Sequence, residues 1–212
     1  MTASNPCPLC GQPLFGWIAL PPESAEASIG MPLAETDAAE RVIDRCESCG
    51  VAVEHGLDVD LAAEWDAVQA PGGNGRPAIA VPNRASVQAA IGVQGWAAIE
   101  LSPGRLLLTP RSLALLARRN GARLEPLRWP LWGRGQAWMW QTLLNGLTFH
   151  PNFAREVRAG RLRAANARGR LPFALDSVVT VLGAPLIALL SIPLELVAAL
   201  LRRGGELRTR PA

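Results

Sequence analysis

The chain carries four cysteines in two matching pairs, CPLCG (Cys7, Cys10) and CESCG (Cys46, Cys49). Two residues between the sulfurs let one tight turn aim both at a single ion. The glycine after each pair, Gly11 or Gly50, permits the left-handed backbone such a turn needs. Two turns of this kind supply four thiolates. These complete a tetrahedral shell around Zn²⁺ and leave no open position for a substrate or an activated water. The spacing therefore predicts a closed, structural zinc site on Cys7, Cys10, Cys46 and Cys49. A redox pair or a disulfide framework would use the same residues. The opening residues MTASNPCPLCG lack the basic and apolar stretches of a secretory signal. That predicts a cytoplasmic N-terminus, where thiols stay reduced and metal binding is favoured over disulfides. His55 follows the second pair, but four thiolates already fill the shell, so it is expected at the surface.

Strands must hold the two turns together. LFGWIAL (14–20) and ERVIDRC (40–46) have the apolar content for a ribbon. The pairs are separated by 35 residues, long for a ribbon, and the Pro/Ser/Ala/Glu-rich segment 21–39 is expected as a long tip loop. Further on, APGGNGRPAIAVPNRAS (70–86) leads from a Pro-Gly-Gly turn through a small apolar run to Val-Pro-Asn. Thr109 then Pro110 is a helix start, because threonine caps and proline fits the first turn. Leu113, Leu115, Leu116 and Ala117 continue it, and Asn120-Gly121 stops it. ARLEPLRW (122–129) alternates as a strand does. ELRTR (206–210), after a Gly-Gly break, is expected as a closing strand.

The chain has 212 residues, 49% of them hydrophobic, with a mean hydropathy of +0.15, which excludes a disordered chain. Its charge is lopsided. Residues 1–104 hold four arginines against thirteen carboxylates, and residues 105–212 hold seventeen against five. A basic half suits anionic lipid or nucleic acid. Next to the basic segments lies SVVTVLGAPLIALLSIPL (177–194), eighteen uncharged residues between Asp176 and Glu195. That is the lower limit for a spanning helix. Arg161, Arg163, Arg168 and Arg170 precede it, and Arg202 and Arg203 follow. Since basic flanks stay cytoplasmic, a re-entrant or in-plane hairpin bent at Gly183-Ala184-Pro185 is preferred to a single span. A buried soluble pair of helices is the third arrangement. Trp129, Trp132, Trp138 and Trp140 suit the headgroup level or a packed aromatic core. The arginine-rich segment 153–168 is expected as a helix on anionic lipid, at about 1 kcal/mol per arginine near the surface. The basic half carries no nucleic-acid-binding motif, which makes nucleic acid the less favoured partner.

From about residue 71 to 149 the chain resembles the C-terminal part of class I S-adenosylmethionine-dependent methyltransferases, in a subgroup that bears an N-terminal zinc ribbon. The residues that carry the resemblance are PGG (71–73), AIAVPN (78–83) as the fifth strand, RASVQAAIGVQGW (84–96) as its helix, and LLLTPRSLALLARRNGARLEPLRW (106–129) as the next unit. The resemblance implies a Rossmann-like sheet whose last strand runs antiparallel beside strand six. The chain departs from the family at SPGRLLLTP, where these enzymes tend to carry Pro-Arg-His. It also departs in a larger way. Only 21 residues lie between Cys49 and Pro71, whereas one strand–helix–strand unit needs roughly 30. They contain no glycine-rich loop to cradle a nucleotide, and GRGQ (133–136) follows a Trp-Pro connection instead of a strand. The cofactor-binding half is therefore expected to be missing, no catalytic or S-adenosylmethionine-binding residue is assigned, and no enzymatic activity is expected.

The sequence thus predicts an α+β protein: a zinc ribbon (1–56), a reduced Rossmann-like α/β remnant (57–130), and a Trp/Arg-rich helical region with a hairpin and closing strand (131–212). The expected function is a non-enzymatic, zinc-binding adaptor, peripheral to or inserted in the cytoplasmic face of the cell membrane, with anionic lipid and a further protein as partners. The alternatives are an accessory or regulatory subunit of an active methyltransferase and a nucleic-acid-binding zinc ribbon.

Overall fold

A computed structural model of the chain describes residues 6–20, 41–71, 77–99, 105–160, 162–163 and 170–212. The expected tip loop 21–39, the glycines of the PGG turn, Arg161 and Arg168 lie outside them. Strand β1 (Leu14–Leu20) pairs antiparallel with β2 (Arg41–Cys46), Leu14 opposite Cys46, so each cysteine turn sits at the same end of one ladder. Strand β3 (Ala52–Glu54) adds to β2. Helix α1 (Leu61–Val68) starts at Asp60, whose carboxylate accepts the Ala62 and Ala63 N–H groups. Strands β4 (Gln69–Pro71) and β5 (Pro77–Pro82) form a second antiparallel pair. Helix α2 (Val87–Gly92), capped by Ser86, runs into a 3₁₀ turn over Val93–Gly95. The two-residue strand β6 (Leu106–Leu107) returns to β3 and completes a sheet of order β1-β2-β3-β6.

Helix α3 (Pro110–Arg119) opens with Thr109 and Ser112 in a reciprocal capping box, as the Thr-Pro signal predicts. Helices α4 (Arg134–Asn145) and α5 (Phe153–Arg158) follow. The expected helix over 153–168 stops early, because Gly160 adopts a left-handed φ of 73°. Residues 164–169 lie outside the described part. The apolar block contains no hairpin. Helix α6 (Arg170–Val178), a wide π turn over Val179–Gly183 and helix α7 (Ala184–Leu200) form one continuous helix of 31 residues. Gly183 and Pro185 do disturb the backbone, but a proline within the first turn of α7 is tolerated and the i→i+5 turn before it absorbs the mismatch.

Strand β7 (Glu206–Thr209) closes the second sheet, order β4-β5-β7, antiparallel to β5. On its other side it meets the segment expected as a strand over 122–129. There only the bridges Arg128–Arg208 and Leu124–Pro211 form, because Pro126 offers no N–H to a ladder. Segment 124–128 and β5 therefore run in the same direction, with β7 between them. Every ladder among the described residues is antiparallel, so the mixed α+β class stands, and the Rossmann-like layout rests on the resemblance. The ladders also cross the expected boundaries: β3–β6 joins region 1–56 to 57–130, and β5–β7 joins 57–130 to 131–212. One apolar core gathers Leu9, Val51, Ile79, Leu113, Leu116 and Leu207 from all three.

Candidate metal centre and exposed apolar face

The two cysteine turns have the same internal geometry. Gly11 N–H donates to Cys7 O (2.8 Å) and Gly50 N–H to Cys46 O (2.9 Å). Cys7 N–H donates to Gln12 O, and Cys46 N–H to Val51 O, both at 2.8 Å. Both glycines take a positive φ, 73° and 80°, as the spacing requires. The turns face each other across the end of the β1–β2 ladder and bring all four sulfurs within 4.8 Å of one another. Cys7 Sγ lies 3.6 Å from Cys49 Sγ, and Cys10 Sγ lies 3.4 Å from Cys46 Sγ. A disulfide needs about 2.05 Å. A tetrahedral ion with metal–sulfur bonds of about 2.3 Å spaces its sulfurs by about 3.8 Å. The cluster thus has the geometry of a metal shell. Three of its cysteines are buried and Cys10 is half-buried. The thiols cannot all ionise together. A hydrogen bond from Cys49 brings the Cys7 thiol down to about 5, while its bond to Cys7 and then burial push Cys49 up, and burial pushes Cys10 up. A bound cation relieves this crowding.

Three long-range contacts brace the cluster. Thr109 Oγ1 donates to Cys49 O (3.0 Å), and Arg119 Nη2, at the far end of α3, donates to Leu9 O (3.2 Å). A single helix therefore holds both turns. Arg84 Nη1 donates to Gly50 O (3.0 Å), and its guanidinium stacks 4.1 Å from the Trp17 ring centroid. Burial, then Arg45, holds the Arg84 pKa down to about 10, so it stays cationic at neutral pH. The sequence reading assigned no role to Arg84 or Arg119. His55 lies outside the cluster; its Nδ1 meets Asp44 Oδ2 at 2.7 Å, and the ring is largely exposed.

The second feature is the long helix. Its two carboxylates and Ser191 point inward beside Ile187, Ala198 and Ala199, and most of its leucines and valines point outward. Asp176 and Glu195, at 0% and 1% exposure, are fully buried, as is Ser191. Asp176 accepts the Phe149 N–H (2.8 Å), the His150 N–H (3.0 Å) and a bond with His150 Nδ1 (2.7 Å). Glu195 accepts the Gly205 N–H (2.7 Å) and Gln88 Nε2–H (2.9 Å), and burial raises its carboxyl above the usual range. The outer face is aliphatic: Val181 is 71% exposed and Leu182 72%, and Leu186, Leu189, Val197 and Leu200 are exposed with them. By length and composition alone this helix is able to cross a membrane. The four tryptophans divide between the two expected environments. Trp138 is buried, Trp129 packs partly buried against the main core, Trp140 Nε1 donates to Ala184 O (3.0 Å), and Trp132 is exposed beside Ile192 at a shallow groove between α4 and α7.

No family model matches the chain, and no curated protein or solved structure matches it either. The functional reading therefore rests on the geometry of these two features. The cysteine cluster was legible from spacing. The inward carboxylates were read only as brackets of the apolar run, although a charged residue at each end of an uncharged stretch is a cue to helix facing.

Proposed function

We propose that the protein is a zinc-bound, non-enzymatic adaptor docked on the cytoplasmic face of an anionic membrane. The observation that carries the membrane part is the reversed facing of helix 170–200, with carboxylates and serine inward and leucine and valine outward. A soluble surface helix has the opposite pattern, and a contiguous exposed apolar face marks an interaction surface. Exposed Arg158 and Arg163 before the helix, Arg170 at its first position, and Arg202 and Arg203 after it suit anionic headgroups. Four thiolates with no open position suit a structural zinc, which makes the metal a staple for the β1–β2 end of the fold. The lack of activity rests on the resemblance and on the 21 residues available for a cofactor-binding half. Flotation with vesicles of phosphatidylcholine, with and without phosphatidylglycerol, tests the membrane part. The protein should float with the anionic vesicles, and a chain left in the soluble fraction with both would overturn it.

One observation favours a second reading, an accessory subunit of an active methyltransferase. Strand β5 and segment 124–128 flank β7 in the same direction, an arrangement compatible with the resemblance. This chain alone should give no heat with S-adenosylmethionine in calorimetry. Co-purification with an intact methyltransferase would favour the subunit reading over the adaptor.

A further inference from the structure

Building on the membrane docking proposed above, we infer that helix 170–200 lies flat in the interface of an anionic bilayer, outer face down, and does not cross it. The uncharged run 177–194 is about 27 Å long at 1.5 Å per residue, close to the hydrocarbon thickness of about 30 Å. Length alone therefore leaves spanning open. What lies beside the helix closes it. Helix α4 runs antiparallel along its inner face: Gly135 sits against Glu195, Trp140 bonds Ala184, and Phe149 N–H meets Asp176. Behind α4 lies the α2 layer over the same stretch. Gln88 bonds Glu195 and Gly135 O, Ala97 N–H donates to Thr142 Oγ1, and Asn145 Nδ2 donates to Gly95 O. The 3₁₀ turn after α2 then packs on β1, whose partner strand carries the Arg41–Glu54 and Arg45–Glu47 ion pairs. A crossing helix would draw this polar body into hydrocarbon along its entire length, against the cost of burying charge there.

A flat helix avoids that cost. The exposed side chains from Val178 to Leu201 form one strip, which a flat pose buries without moving the body, as interfacial helices do. Exposed arginines stand at both ends of the strip, and only a flat pose places both ends at headgroups of one leaflet. Two strongly exposed aromatic residues flank the strip, Trp132 beside Ala188 and Ile192 near its middle and Phe149 beside Asp176 at its N-terminal end. The occupant of this face is thus anionic lipid, not a second copy of the chain.

The test uses the full, zinc-loaded chain with single nitroxides placed at Val178, Leu182, Leu189, Val197 and Leu200 through an unnatural ketone side chain, which spares the cysteines. On phosphatidylcholine/phosphatidylglycerol vesicles, oxygen-accessibility measurements should report one shallow depth for all five. A depth that rises to the middle of the series and falls again would replace the flat pose with a span and leave membrane docking intact. Leu182→Glu with Leu189→Glu places charge on the strip without touching the core, and should weaken vesicle binding about tenfold or more while zinc content and helicity persist. Unchanged binding would overturn the assignment of this face. Failure of the unmodified chain to float would overturn docking itself, and a detergent-free dimer that does not float would give the face to a second copy.

Discussion

Changing Cys7 and Cys46 to serine removes one thiolate from each turn. Structural zinc binds with about 10–16 kcal/mol, comparable to or above the whole stability of a typical domain. The unmodified chain should carry about one zinc per molecule, and the double variant should lose both the metal and the β1–β2 end of the fold. Full zinc content in the variant, by metal analysis after purification without chelator, would refute the site. A second residue-scale effect comes from Glu195. Its buried carboxyl has a raised pKa, so the native state holds the proton more tightly than the unfolded chain. Ionisation then costs stability as pH rises from the unfolded value of about 4.3 through the raised folded value. Relative to Glu195→Gln, the unmodified chain should lose stability across that window, and urea unfolding of the pair at a series of pH values checks it. Acid loss of metal affects both chains and cancels in the difference. The cysteines were legible because their message is local, two residues between ligands. The bonds that Arg84, Thr109 and Arg119 make to the cysteine turns were not, because their partners lie 34, 60 and 110 residues away.

At the scale of elements, the sequence marked the right place in the apolar block and the wrong outcome. Gly183 and Pro185 suggested a bend, and the chain forms a π turn. Helical phase gives the reason. Asp176 and Glu195 are nineteen residues apart, which on an unbroken α-helix leaves them about 100° out of phase. A π turn holds about one residue more than an α turn, and so returns both carboxylates to the inner face. Deleting exposed Val181 together with Pro185→Ala should therefore give an unbroken α-helix with both carboxylates still inward, within about 1 kcal/mol of the parent. Deleting Leu189 in addition to Val181 leaves the carboxylates seventeen residues apart, about 100° out of phase again, and should rotate Glu195 away from Gln88 and Gly205 and leave buried groups unpaired, at about 1–3 kcal/mol each. Thermal unfolding separates the two deletions, and equal losses would sink the phase argument. Helix α3 makes the matching case at the metal end. Thr109→Ala removes both a helix cap and the bond to Cys49 O, so it should cost about 1–2 kcal/mol and speed zinc release to a chelator.

At the scale of the whole molecule, the sequence showed charge and composition shifts that read as three successive regions. Those shifts are real, with carboxylates gathered in the front half and arginines in the back. They report what each stretch of surface faces, whereas the ladders report which chains fold together. The ladder pairing β5 with β7 joins residues over 120 positions apart, a contact that no local pattern encodes. The last strand is the tie. Leu207 is fully buried in the core that also holds Cys7, Cys46 and Cys49. Glu206 beside it pairs with Arg134 at the start of α4 and with Arg208. Asn83 Nδ2 holds Gly204 O, and Gly205 N–H holds Glu195 at the end of the long helix. A perturbation at this strand should therefore reach the metal and the helix together. Leu207→Ala opens a cavity at the centre and should cost about 2–5 kcal/mol. In urea, zinc release followed with a chromogenic chelator and loss of helicity followed by circular dichroism should fall on one curve, in the unmodified chain and in the variant, with the variant's midpoint lowered for both. Regions that fold separately would give two curves, and Leu207→Ala would then shift the helical one while leaving zinc release where it was.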